Sequence, residues 1–426
     1  MLPKVRVLHT ADWHLGQKFL GQYYRDDEFS RFLDWLRDEV IVKQGVQVLI
    51  HSGDVFDIPN PPITATRLYF NFLSSLQHSC CEHVVIVGGN HDSPPQLNSA
   101  AQILECLNVY VRGHASDKPS DDLIILKDKQ EQPFMVVCAV PFLRDRELYL
   151  GDIALDEAAH RQAIQKAIKA HYQKFSKLLA PYKAQGLPII ATGHLWVSGA
   201  EVSDASVVGR DTAERPTYMG TLADVGVDVF GQDFQYVALG HIHKSQKVGG
   251  HNHIRYAGSP IPLDFSERKQ EKSVLIVDFE GQNAPTVLSV KVPVLRPLLR
   301  LEGTLATIAK KLEERSLQFK TQTDFQSWAE LILISEHSQA ADEEAIKELT
   351  EKYKNAILFL SKKRKKIAQE GSDNFAEDDF FDLTARENVL HVFEQFCLSK
   401  NINSEEKLAA LKKTFEQVFN ELSEKP

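Results

Sequence analysis

Long apolar runs are missing from this chain. Stretches such as residues 46–50 and 84–87 have the length of a strand and fall far short of the ~20 residues that span a bilayer. A strand pattern begins by Val5, leaving no room ahead of it for a charged segment, an apolar segment and a cleavage site of secretory type, so a cytoplasmic protein is expected. Paired cysteine motifs are missing too. The five cysteines (Cys80, Cys81, Cys106, Cys138, Cys397) are odd in number and form no CxxC, which argues against a disulfide framework and a structural zinc site. An excess of positive charge is also lacking. A net charge of −9 is awkward for a protein that must hold phosphates, but it is a sum over the surface and does not exclude a local basic groove. Clustered carboxylates neutralised by cations would also inflate the negative count. There is no internal repeat and nothing that suggests disorder. At 426 residues and 43% hydrophobic content, the chain is long enough for two or three domains, one with a large core.

What is present alternates. Phe29, Phe32, Leu33, Leu36 and Val40 follow helical spacing and lead to the strand-like "VQVLI". Tyr69, Phe70, Leu73 and Leu76 repeat the rhythm before "HVVIV". Ile164, Ile168, Tyr172, Phe175 and Leu179 mark a longer helix before "PIIAT". The βαβ alternation predicts an α/β domain with helices covering a sheet. Around residues 280–300, "FEGQNAP" and the proline-bearing "KVPVLRPLLRLEG" suggest a crossing between domains. A small second α/β domain follows, with helices over 305–317 and 343–353, strands at "AELILIS" and "AILFLS", and an end near "KKRKK". After a polar linker, Leu408, Leu411, Phe415, Val418 and Leu422 form a heptad seam. It suits either packing on its own domain or a partner's helices.

The chemistry gathers where strands end. Five apolar runs finish in a small residue followed by metal-competent side chains: "VLHTADWH", "VLIHSGDVFD", "VVIVGGNHD", "PIIATGHLW" and "YVALGHIH". In open α/β sheets, ligands bind at the carboxyl ends of strands. Asp12, His14, Asp54, Asn90, His91, Asp92, His194, His241 and His243 are therefore expected on one rim. Asp12 and His14, two apart, would share a face if the strand continued through them. A lone histidine after a strand is more often structural, but five such ends in a chain with 16 histidines reverse that reading. The preceding glycines allow sharp turns and close approach. His51 could orient Asp54, although a structural role suits it better. Imidazoles mixed with hard oxygen donors and no thiolate suit Mn²⁺, Fe²⁺ or Zn²⁺. The donors are too many for one such ion. Two ions ~3.5–4 Å apart sharing a carboxylate would use them and would suit in-line phosphoryl displacement.

In order and placement, "DWH", "GDVFD", "GNHD", "GHL" and "GHIH" resemble the calcineurin-like metallophosphoesterase signature. With "HTADWHLGQ", "GDVFDIPNPP", "ALGHIHKSQ" and "YAGSPIPLDFSE", the chain resembles the SbcD-like nuclease branch of that superfamily. The resemblance implies a β-sandwich flanked by helices at 1–285, a small α/β capping domain at 286–368, and C-terminal helices at 376–426 that dock a partner. It further implies two divalent ions, most often Mn²⁺. Asp12, His14 and His243 would hold one, Asn90, His194 and His241 the other, and Asp54 would bridge them. His91 would be the catalytic histidine, oriented by Asp92. Asp57 stands where some archaeal relatives carry a catalytic histidine, and is expected instead to cap a turn or to touch a ligand histidine.

The implied partners are an SbcC-like coiled-coil ATPase, DNA and a second copy of the chain within a heterotetramer, in a nucleoid-associated setting. The implied activities are 3′→5′ double-strand exonuclease and single-strand endonuclease cleavage in DNA repair, recombination and replication. Lys18, Tyr23, Tyr24, Arg25 and the run 362–366 are candidate DNA contacts, the run being equally suited to a solvated linker. Two rivals remain: a phosphatase or nucleotidase on the same metal site, and a DNA-end scaffold without catalysis. "IPNPP" after Asp57 offers no arginine for a phosphate monoester, and a full donor set argues against an inert scaffold.

Overall fold

The computed structural model describes residues 4–148, 157–201, 225–319, 325–335 and 339–366. The chain divides into two compact units, with the boundary between residues 299 and 300 and residues 325–327 returning to the first. Among the described residues no helix is long and apolar enough to cross a membrane.

The first unit holds two six-stranded sheets. One is ordered Thr286–Lys291, Ser273–Glu280, Lys4–Thr10, Val48–Ser52, His83–Val87, Val109–Arg112. Its last four strands run parallel, whereas Ser273–Glu280 is antiparallel to Lys4–Thr10. The other sheet is ordered Gln246–Val248, His251–Tyr256, Tyr236–Gly240, Ile189–His194, Pro133–Cys138, Leu123–Lys127. Its four middle strands are parallel.

The continuous apolar runs follow from burial on both faces. Side chains alternate across a strand, so Val5 and Val7, Val48 and Ile50, and Val85 and Val87 enter one core, while Leu8, Leu49, Val84 and Ile86 enter another. The shared core also receives Ile190, Tyr236 and Ala238 from the second sheet. The two sheets are therefore packed face to face. The outer face of the first sheet is covered by Phe29, Phe32, Tyr69 and Leu73, that of the second by Ile164, Ile168, Tyr172 and Phe175. Each fully buried Val, Leu or Ile stabilises the fold by roughly 1.5–3 kcal/mol. Periodicity alone implies one covered sheet; two sheets form, packed face to face as the family resemblance implies.

Local departures have physical reasons. The helix Asp26–Trp35 continues as the π-helical Leu36–Val42, whose wider turn lets Leu36, Val40 and Ile41 all be buried. The single long helix expected across 164–179 is two, Glu157–Gln173 and Ser176–Ala184, yet every apolar residue that defined it is buried. Of the four apolar residues that mark the helix before "HVVIV", Tyr69, Leu73 and Leu76 are buried and Phe70 lies at the exposed edge.

In the second unit the strands Leu298–Gly303, Ser327–Ser335 and Ile357–Lys366 form a three-stranded sheet, and the helices Leu305–Phe319 and Gln339–Tyr353 pack on each other. Residues 362–366 are therefore strand, not linker. Arg364 is buried and its Nε donates to Asp342 Oδ2 at 2.7 Å, while Lys363 and Lys365 lie 3.7 Å and 3.3 Å from Glu330 and Glu302. The heptad seam, the linker before it and Cys397 lie outside the described residues.

At the carboxyl ends of the parallel strands the two sheets nearly touch. A Cβ on Gly240 would lie 2.0 Å from the Ser52 carbonyl oxygen, and one on Gly53 2.2 Å from His194 Nδ1; within the first sheet, one on Gly89 would lie 2.1 Å from Asp54 Oδ1. Gly240→Ala forces backbone apart in a packed interior and is expected to cost about 1–3 kcal/mol. Thermal unfolding checks this, and an unchanged midpoint would contradict the close approach.

Candidate metal centre

The rim formed by these strand ends receives residues from both sheets. Lys4–Thr10 leads to Asp12 and His14, Val48–Ser52 to Asp54, and His83–Val87 to Asn90 and His91. From the second sheet come His194, last in its strand, and His241 and His243 after Tyr236–Gly240. The expected convergence occurs, but not by strand alternation. The strand ends at Thr10, and both Asp12 (φ 52°) and His14 (φ 49°) take left-handed backbone. Trp13 between them is buried against Phe32, His51 and Phe72, and its indole donates to Thr10 Oγ1 at 2.8 Å. Asp54 (φ 54°) and His241 (φ 98°) also have positive φ. Non-glycine residues take this backbone only where the surroundings over-determine it, typically at functional sites. Here backbone N–H groups do so: Asp12 N donates to Gly53 O at 2.9 Å and His14 N to Asp54 O at 3.1 Å.

Four groups of side chains meet. Asp12, His14 and His243 bring one ligand atom each within 4.8 Å of one another, as do Asp12, Asp54 and His194, and His14, Asp57 and His91. Asn90 Oδ1 lies 2.9 Å from His194 Nε2 and 3.0 Å from His241 Nδ1. Asp54 stands between these groups: its Oδ2 is 3.2 Å from His194 Nε2 and 3.7 Å from His14 Nε2, while its Oδ1 accepts the His91 N–H at 2.9 Å. All seven residues expected to bind cations are thus brought together.

The electrostatics are those of a cation cage. Burial pushes the Asp12 carboxyl up. Burial also opposes ionisation of Asp54, yet the rings of His194, His91 and His14 hold it well below the usual carboxylate range. His14 is raised to about 9, burial being overcome by its hydrogen bond to Asp57 and the charges of Asp54, Asp57 and Asp12. His194 is raised to about 9, chiefly by Asp54 against the effect of burial. Burial, with His194 nearby, lowers His241 to about 3. A divalent cation would compete with the protons on His14 and His194. The cage fits such an ion: among the described residues Asp12 Oδ2 and His14 Nε2 are buried with no hydrogen-bond partner, and the donors are imidazole and oxygen without thiolate.

His91 adjoins the cage, its ring 4.8 Å from that of His14. Its Nδ1 lies 2.7 Å from the Asp57 carbonyl oxygen, which can only accept, so Nδ1 carries a proton, and among the described residues no hydrogen bond engages Nε2. Asp57 also touches His14, with Oδ1 3.1 Å from Nδ1. Asp92 does not orient the His91 ring. It is buried and accepts the backbone N–H groups of Val55, Phe56 and Gly89 at 3.1, 3.0 and 2.9 Å, joining the loops that carry Asp54 and Asn90.

Other sequence candidates fall elsewhere. His51 is buried beneath Trp13 and does not bond to Asp54. Lys18–Phe19 and Tyr23–Tyr24 pair as a short hairpin with Tyr24 exposed and the Lys18 ammonium over its ring. Arg25 is no surface contact. It is fully buried and bonded to Glu28, Gln17 and the Pro262 carbonyl, and Arg296 reaches Glu28 and Asp27 from the other side. One partner escapes any reading of the sequence: buried Glu267, whose Oε1 accepts from His243 Nδ1 at 3.0 Å. It closes the stretch "YAGSPIPLDFSE", but no spacing rule links it to a histidine 24 residues earlier.

Comparison with known proteins agrees with this geometry. The calcineurin-like phosphoesterase family profile matches residues 5–245, and that described as the type 5 capsule protein repressor C-terminal domain matches residues 294–401. The chain is similar to the SbcD component of the SbcCD nuclease of Escherichia coli K12, at 40% identity over 73% of this chain and 74% of that protein. The proteins of the same name from Rhodobacter capsulatus and Bacillus subtilis are 34% and 29% identical, each over 70% of this chain and over 73% and 72% of their own lengths. The chain belongs to the calcineurin-like phosphoesterase family and, within it, to the SbcD group.

Asp92→Asn keeps one acceptor oxygen and sets an amide against a backbone N–H. Leaving one such buried group unpaired costs about 1–3 kcal/mol. Urea unfolding is expected to show this loss, and an unchanged midpoint with lost catalysis would instead make Asp92 a partner of His91.

Proposed function

We propose that this protein is a metal-dependent DNA nuclease that hydrolyses phosphodiester bonds at double-stranded ends and hairpins, by 3′→5′ exonuclease and single-strand endonuclease cleavage, as the SbcD component of an SbcCD-type complex. The relatives bearing that name support the reading. The observation that carries it is Asp54 Oδ2 standing between the donors of two groups, where one carboxylate can serve two cations.

Asp12, His14 and His243 would hold one ion, Asn90, His194 and His241 the other, with Asp54 between; Mn²⁺ is the ion we assign. When bound, such a pair supplies a water of lowered pKa and absorbs charge gathering on the phosphate oxygens. The protein's own groups do the rest. Burial of Asp12 and Asp54 keeps bulk water from competing for the cage. His91, its Nδ1 committed to the Asp57 carbonyl, presents Nε2 to stabilise the scissile phosphate or pass a proton to the leaving sugar oxygen.

The wider assembly follows the same reading. A coiled-coil ATPase of SbcC type, a second copy of this chain in a heterotetramer, and DNA are the partners, in a cytoplasmic, nucleoid-associated setting. The region 286–368 acts as the capping domain, and 376–426, outside the described residues, supplies the docking helices.

The test combines substrate and variants. In Mn²⁺ the protein is expected to cleave linear duplex DNA and to turn over a simple phosphate monoester poorly; the reverse preference would favour a phosphatase or nucleotidase. His91→Ala is expected to keep both ions and lose about 10²–10⁴-fold in cleavage, whereas Asp54→Ala loses metal. Equal metal loss in the two variants would contradict the assigned roles.

A further inference from the structure

The two groups of donors are backed differently. In the Asp12, His14, His243 group, each histidine meets a carboxylate through Nδ1: His14 with Asp57 Oδ1 at 3.1 Å, and His243 with Glu267 Oε1 at 3.0 Å. In the other group, His194 Nδ1 meets a neutral acceptor, the Ser52 carbonyl at 2.9 Å, with the nearest Asp12 oxygen at 4.0 Å. His241 turns Nδ1 toward the Asn90 amide oxygen, and among the described residues no carboxylate hydrogen-bonds to its ring.

The support behind His243 is built rather than incidental. Glu267 lies in a turn, Ser266–Lys269, and its second oxygen accepts the Leu263 N–H at 3.0 Å and the Lys272 ammonium at 2.6 Å. Lys272, itself buried, also donates to the His243 carbonyl at 3.0 Å and to Ser259 Oγ at 2.8 Å. His243 is thus held at its ring by Glu267 and at its backbone by Lys272. Asp57, a quarter exposed, holds His14 at its ring Nδ1. A carboxylate behind a ligand imidazole fixes its tautomer, orients the ring and raises its basicity, and losing such a partner typically costs 10–100-fold in metal affinity. A carbonyl also fixes the tautomer, but brings no negative charge.

We propose that the centre is asymmetric: Asp57 and Glu267 are positioning residues that make the Asp12, His14, His243 group the tight cation site, leaving the Asn90, His194, His241 group weaker and filled second. This rests on the two-cation reading above. Asp57 acts through both charge and orientation. Glu267, paired with Lys272, acts mainly by fixing the His243 ring. The run "YAGSPIPLDFSE" then has a task, since it delivers Glu267 to the back of a ligand contributed by "GHIH".

The experiment is a Mn²⁺ titration of metal-free full-length protein, with free Mn²⁺ counted by electron paramagnetic resonance and folding checked by thermal melting. The wild type is expected to bind two ions in classes at least about 10-fold apart, and His241→Ala is expected to keep the tight class. Asp57→Asn should weaken the tight class by about 10–100-fold and leave the weak class in place. Glu267→Gln alone strands a buried ammonium, so the paired variant Glu267→Gln with Lys272→Met is used, and the same selective weakening is expected. Loss confined to the weak class, equal loss in both, or no loss in either would overturn the asymmetry while the two-cation reading stands. A wild-type stoichiometry of one ion would overturn both.

Discussion

Two carboxylates, Asp12 and Asp54, lie buried at the rim of a sandwich with their oxygens among imidazoles. Buried negative charge is tolerated only when paired. Much of the local architecture answers that constraint. The left-handed turns at Asp12, His14, Asp54 and His241 fold the strand ends inward, so that side chains from two sheets share one space. Close approach at Gly240 and Gly89 lets the backbones near each other without a Cβ between them. Backbone N–H groups supply part of the compensation: His241 N donates to Asp12 at 2.8 Å and His91 N to Asp54 at 2.9 Å. The remaining oxygen of Asp12 is buried and has no hydrogen-bond partner among the described residues, as suits a group that would meet a cation.

Around this cage stands a layer that fixes it. Asp92 joins two of the metal-centre loops through three N–H groups, and the Glu267 and Lys272 pair holds a third. Arg25 ties the start of its helix to the Pro262 carbonyl, close along the chain to Glu267. Buried ion pairs of this kind contribute little net stability, because desolvation offsets attraction. Their use here is geometric. A metal site tolerates errors of only a few tenths of an ångström, and the surrounding charges hold its ligands in register.

The sequence discloses the parts of this protein that repeat a local rule. Apolar runs fully buried on both faces are legible as strands, and a glycine before four of the five polar clusters marks the turn out of the strand, Ala11 standing before the fifth. Legibility fails where partners are distant in sequence or where backbone departs from its regular region. Asp12 and His14 do converge, yet by two left-handed residues around a buried tryptophan, which no alternation rule anticipates. Adjacency in sequence links Asp92 to His91; its carboxylate instead serves three backbone groups, two of them in the loop after Asp54. Arg25 sits among residues that look exposed, but burial pairs it with Glu28. The basic run at 362–366 has the charge of a domain boundary, yet it is the end of a sheet strand in which Arg364 is buried and bonded to Asp342.

The central claim is that the donors gathered from five strand ends hold a pair of divalent ions bridged by Asp54. The most direct measurement is an anomalous-scattering map from crystals grown in Mn²⁺, collected at the manganese absorption edge. The account predicts two peaks about 3.5–4 Å apart, with Asp54 touching both, Asn90 touching one and Asp12 the other. A single peak at full occupancy with the remaining donors turned away, or Asn90 far from either peak, would contradict it.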